Sequence, residues 1–308
     1  TFDHCYRESV HISKERIQLK EALGMFGPVK WFPAQAVANS KRFWRRAVLV
    51  GALICVLPFT AQVGMRLYSW YLSLYRINDL ASEEALRESF RLVVHGFDSQ
   101  DKAIVFPARK WTGSVPVYFD ASLPEWHRTT IQSYFPVLEN LTGLRFLETP
   151  VFDKVWHLNV FYAASAKEVT KLAHQRDLGP RFISEYGEAN CYVIVDPEQV
   201  NHRIGRLVVF KRDQEHPLAV SCVLEEMLQA LGLHADRATY SPSLFSTFTN
   251  PLEIPLNDRI LLRTLYDPTI NSGMREIETA ALVPQIIHRL VVGVKTRGEE
   301  ALYQHQQE

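Results

Sequence analysis

The sequence predicts an α+β domain built on a mixed sheet, preceded by a single transmembrane helix. Short β-branched and aromatic runs are interspersed with stretches of helical period between residues 82 and 292. A charge-free apolar run, Ala47 to Met65, stands ahead of them. At 308 residues the chain has room for one large domain or two modest ones.

The apolar run reads AVLVGALICVLPFTAQVGM, with Leu53 near its centre. As a helix it extends about 28 Å, close to the hydrocarbon thickness of a bilayer. Pro58 would kink it, which membrane helices tolerate. Lys41, Arg42, Arg45 and Arg46 crowd its N-terminal side, and few cations follow it. The positive-inside rule then places the N-terminus in the cytoplasm and the main domain outside, on the inner membrane. Aromatic residues flank the run, Phe43 and Trp44 before it and Tyr68, Trp70, Tyr71 and Tyr75 after it. The chain therefore divides into a cytoplasmic segment (1–42), a span (43–66), a juxtamembrane linker or helix (67–81), an extracytoplasmic domain (82–292) and a tail (293–308). Within the first segment, Ser13 to Leu23 has the pattern of a short amphipathic helix.

In the outer domain Ser82 is an N-cap candidate for a helix opening with Ala85 and Leu86. Val115 to Phe119 reads as a strand and Trp126 to Thr142 as a helix. Leu144 to Glu148, His157 to Ala163, Cys191 to Val195 and Leu207 to Lys211 read as further strands. A helix around Glu225 follows, and Thr279 to Val292 reads as a closing helix. Residues 299–308 are polar and read as a loose end.

Composition narrows the function. Lys+Arg and Asp+Glu both number 34, so the net charge is zero and no basic excess points to nucleic acid. The chain lacks the Walker loop, Gly-x-Gly-x-x-Gly, Gly-x-Ser-x-Gly and Cys-x-x-Cys patterns. Of four cysteines, Cys191 and Cys222 fall in the outer domain. They either form a disulfide, if that domain lies outside the cytoplasm, or are two buried thiols.

The most informative stretch is Cys222-Val-Leu-Glu-Glu-Met-Leu-Gln-Ala-Leu-Gly-Leu233. It has the frame of a zinc-protease helix, in which two His at i and i+4 bind the metal and an intervening Glu activates its water. Here Glu225 and Gln229 stand at the ligand positions and Glu226 at the general-base position. Oxygen donors suit hard cations, while imidazole suits zinc. No cofactor is expected, a hard divalent cation being the alternative. A third ligand would fall at position 235, which is Ala235, with His234 and Asp236 as near misses. An ordinary amphipathic helix also fits, with Val223, Met227, Ala230, Leu231 and Leu233 inward and Glu225, Glu226 and Gln229 on the wetter side. His216 and His234 bracket the helix; Asp258, Arg259 and Tyr266 are candidates to support it, and Ser243 and Ser246 fit turn or capping roles.

From about Ser82 to Met274 the chain resembles a bacterial family of unknown function that is distantly zincin-like, with Glu-Glu-x-x-Gln in place of the histidine motif. Besides the helix, Trp111 to Phe119, Leu138 to Leu144, Ala189 to Cys191, Tyr240 to Phe245 and Leu256 to Pro268 carry the likeness. The resemblance implies a zincin-like fold in which the histidines are gone. The function expected is therefore a membrane-anchored pseudoenzyme that binds protein, as an accessory subunit beside integral membrane or periplasmic proteins. A metal-dependent peptidase or hydrolase with non-histidine ligands is the alternative.

Overall fold

Whether a segment of this chain became helix or strand follows mainly from which face it could bury. The structure, a computed structural model, describes residues 76–99, 102–178, 191–195, 206–211, 216–246 and 249–303, with isolated positions between 64 and 71 and at 183. The expected span falls outside these residues, including Ala47, Leu53 and Pro58, as does Ser13 to Leu23. Met65, at the end of the span, is described and exposed. Residues 65–308 form one unit.

That unit opens with α1 (Glu83–Phe90), capped by Ser82, whose Oγ accepts a hydrogen bond from the Ala85 N–H at 3.2 Å. One π turn, Arg91–His95, continues it into an antiparallel hairpin of β1 (Gly96–Ser99) and β2 (Lys102–Val105). Then come β3 (Ser114–Phe119), α2 (Glu125–Thr142), β4 (Arg145–Glu148), β5 (Leu158–Tyr162) and α3 (Ala166–Arg176). β6 (Cys191–Val195), β7 (Arg206–Phe210), α4 (His216–Ala230), α5 (Leu256–Leu265) and α6 (Glu276–Arg297) complete the order, followed by a 3₁₀ turn over Glu299–Leu302.

The fold is α+β. Five strands form one mixed sheet in the order β4-β3-β5-β7-β6. β3, β4, β5 and β7 run parallel, while β6 is an antiparallel edge strand pairing Cys191 with Phe210 and Val195 with Arg206. One face of the sheet, through Val115, Val117, Val160, Val208 and Phe210, meets the main core of α2, α4, α5 and α6. The other face, through Phe161, Leu207 and Val209, is covered by Val169, Leu172 and Ala173 of α3. Strands buried on both faces read as continuous apolar runs, as RLVVF does in β7.

Three findings differ from the sequence reading. The β1–β2 hairpin and α3 were not expected; α3 is mostly polar and buries only Val169, Leu172 and Ala173, so its apolar period is thin. The closing helix runs from Glu276 to Arg297, longer at both ends than its apolar period. Past it, residues 299–302 are not loose: Leu302 is fully buried and Glu299 pairs with Arg259 at 2.6 Å. α6 is long and apolar enough to cross a membrane by length and composition. It buries Val283, Ile287, Leu290 and Val291 in the core of this domain.

α4 is buried on nearly every side, so the carbonyls at its C-terminus need partners inside the protein. Trp111 Nε1–H donates to the Ala230 carbonyl at 2.9 Å, and Tyr266 O–H to the Leu231 carbonyl at 2.9 Å. The chain then turns at Gly232, whose φ of +116° favours glycine. A Cβ there would stand 2.1 Å from the Arg109 carbonyl oxygen. Gly232→Ala is expected to lower unfolding free energy by about 2 kcal/mol or more, as measured by urea denaturation.

Candidate functional site

α4 carries the residues that the sequence singles out. Cys222 and Glu226 lie one turn apart on one face, and Glu225 and Gln229 one turn apart on the next. Val223, Leu224, Met227 and Leu228 fill the core. The expected wet face exists only in part. Glu226 and Gln229 are 3% and 8% exposed, and Glu225 is only partly exposed. The reason is that α4 packs under β6 and β7 on one side and against α2 on another, which leaves little of its surface to water.

The turn at Gly232 brings the following strand of chain back over the helix. The His234 and Ala235 N–H groups both donate to the Val93 carbonyl, at 2.8 and 3.1 Å. That anchor delivers Asp236, not residue 235, to the helix. Gln229 Nε2 donates to Asp236 Oδ1 at 2.6 Å, and the Glu225 carboxyl hydrogen-bonds the same Asp236. Glu225, Gln229 and Asp236 thus form one cluster, whose third member was a near miss in the spacing. The Gly232 turn, which doubles the chain back over the helix, was the signal that could have found it.

The electrostatics of this cluster favour protons. Burial drives the Glu225 carboxyl well above the usual range, and the negative charges of Asp236 and Glu226 push it the same way. Glu226 is raised by burial first and by Asp236 second. Asp236 is exposed over part of its surface, but its carboxyl faces the helix; desolvation raises it, against hydrogen bonds from Glu225 and Gln229. Glu225 therefore holds a proton and donates it to Asp236, and the pair titrates as a unit. Glu226 Oε2 is buried and has no hydrogen-bond partner.

Cys191 and Cys222 are joined by a disulfide, with Cα atoms 6.2 Å apart, linking β6 to α4. The charges acting most on His234 are Arg206 and Arg109, and burial with these cations holds it neutral, well below the usual histidine range. The His216 side chain lies outside the described residues. Arg206 itself is fully buried, with no partner on any guanidinium nitrogen, and burial pushes its pKa down to about 9. Sequence reasoning gave no sign of this interior cation, which opens a strand as an ordinary polar residue would.

The remaining candidates are structural. Asp258 is fully buried and accepts from Tyr240 O–H at 2.7 Å, Ser243 Oγ–H at 2.8 Å and Leu244 N–H at 2.7 Å. Burial pushes it up to about 6 despite these bonds. Arg259 pairs with Glu299, not with the Glu225 face. Tyr266 is buried and caps α4. A separate cavity of about 370 Å³ lies between α1 and α6, with His95 and Phe90 on its wall and Arg87, Glu88 and Glu276 beside them.

Fold and cluster together define a mixed-sheet α+β domain organised around a buried acidic helix. Residues 83–285 match the family described as "Protein of unknown function (DUF2927)", and the chain belongs to it. No curated protein matches the chain.

Two measurements probe this site. A raised Glu226 makes folding take up a proton, so its stabilising effect is full below the ordinary Glu value of 4.5 and is lost as pH rises toward the folded value. Glu226→Gln should therefore gain stability relative to the parent as pH rises above that value, by up to about 1.4 kcal/mol per pH unit, in urea denaturation across a pH series. Asp258→Ala leaves three buried donors unmatched and should cost roughly 3 kcal/mol or more, seen as a lower urea midpoint.

Proposed function

We propose that this chain is a membrane-anchored, zincin-like pseudoenzyme that binds a protein partner as an accessory subunit of a bacterial inner-membrane complex. One observation carries the reading: Glu225 and Gln229, which stand at the ligand positions of the protease frame, both hydrogen-bond Asp236. A face closed by its own proton and amide lacks the imidazoles that give zinc its hold, and without a Lewis acid Glu226 has no metal-bound water to activate. The helix lying beneath a mixed sheet agrees with a zincin-type upper subdomain. The disulfide agrees with a domain outside the cytoplasm.

The partner would dock at the sheet margin. β6 stands at one end of the strand order among the described residues. An extended segment can add to such an edge by main-chain hydrogen bonds. Purification of the full chain from gently solubilised membranes is expected to recover a second protein in fixed ratio. Recovery of this chain alone would remove the subunit reading.

A second reading has its own support, the convergence of three oxygen-bearing side chains at Glu225, Gln229 and Asp236. Such a set could hold a hard divalent cation, with Glu226 as base in a hydrolase. Metal analysis of protein purified without chelator separates the two. A stoichiometric calcium, magnesium or manganese ion that disappears in Glu225→Ala would favour the hydrolase.

A further inference from the structure

Cys191 is the first residue of β6, and Cys222 lies midway along α4. Glu226 follows Cys222 by one helical turn, so its carboxyl projects beside the disulfide. One carboxylate oxygen and the two sulfurs all lie within 4.8 Å of one another. A second observation is independent of that spacing: Glu226 is 3% exposed, and its Oε2 has no hydrogen-bond partner. A buried carboxyl with an unused oxygen is costly, and an apolar side chain of similar length would fill the volume more cheaply. The residue types also matter. Two sulfurs and a carboxylate are a donor set for a borderline-soft divalent ion, unlike the all-oxygen set of Glu225, Gln229 and Asp236.

We propose that Cys191, Cys222 and Glu226 form a thiol-gated zinc site, shut as the disulfide and metal-binding as the dithiol. Tetrahedral zinc with Zn–S near 2.3 Å and Zn–O near 2.1 Å places its donors roughly 3.5–3.8 Å apart. The cysteine Cα atoms, 6.2 Å apart, leave the opened sulfurs room to separate that far, and a Glu226 carboxylate oxygen already lies within 4.8 Å of both sulfurs. A dithiol reductant supplies the electrons. Its thiolate attacks the more accessible Cys191 sulfur, the Cys191–Cys222 bond breaks, and Cys222 leaves as a thiolate. The reductant's second thiolate then displaces Cys191 and departs as its own disulfide. Two electrons and two protons have passed to the protein. Zinc binding next releases both thiol protons and the Glu226 proton, and water completes the fourth position.

The test uses the full chain, reduced with a phosphine, freed of reductant under anaerobic conditions and titrated with Co²⁺ as the spectroscopic stand-in. One equivalent should produce a sulfur-to-cobalt charge-transfer band with tetrahedral d–d bands, discharged by Zn²⁺. The oxidised chain, Cys191→Ser and Cys222→Ser should lack it. Glu226→Gln should keep sulfur ligation but bind cobalt roughly tenfold or more weakly. The proposal is overturned by a reduced parent chain that shows no band, or that loses its helical circular dichroism on reduction. It is equally overturned by a band that survives loss of either cysteine, or by unchanged affinity in Glu226→Gln.

Discussion

The enclosure of α4 is the constraint on which the rest depends. A helix covered by the sheet on one side and by α2 on another has little water to satisfy the polar groups it carries. Trp111 and Tyr266 take its last carbonyls, and the glycine turn lets Arg109 pass close by. Asp236 answers both Glu225 and Gln229. Asp258 does the same work nearby, gathering Tyr240, Ser243 and Leu244 around one carboxyl and so fixing the segment between α4 and α5.

Charge follows from that enclosure. In water Glu225, Glu226 and Asp236 would each be ionised near neutrality; against this helix the same groups hold protons longer, because desolvation raises all three and repulsion from Asp236 adds to it at Glu225 and Glu226. A metalloprotease frame places a cation among such groups. In this chain burial and the hydrogen bond to Asp236 favour a proton on Glu225. The distinction matters chemically, since a proton can balance charge but cannot polarise a bound water as zinc does.

Much of the fold was legible in the residues. Ser82 capped its helix, and Val115 to Phe119, His157 to Ala163 and Cys191 to Val195 became strands within a residue or so of their apolar limits. These segments announce themselves because burial on both faces demands uninterrupted β-branched and aromatic side chains. α3 escaped because three buried positions suffice to cover a sheet already apolar. The site was legible at Glu225, Glu226 and Gln229, whose spacing fixes their faces. Their depth was not, since periodicity tells which side of a helix is apolar and says nothing of what packs on the polar side. Asp236 was set aside because a spacing rule borrowed from histidine ligands was applied to a chain that turns differently after Gly232. Arg206 is a case where sequence offers no handle: a buried cation looks like any other arginine until its neighbours are known.

The bond between Cys191 and Cys222 gives the outermost strand a property that hydrogen bonds alone would not. Edge strands ordinarily fray, because only one neighbour holds them. Here the first residue of that strand is riveted to the middle of the central helix, so the sheet margin and the acidic turn move as one body. Any force applied at the rim is delivered without slack to the interior.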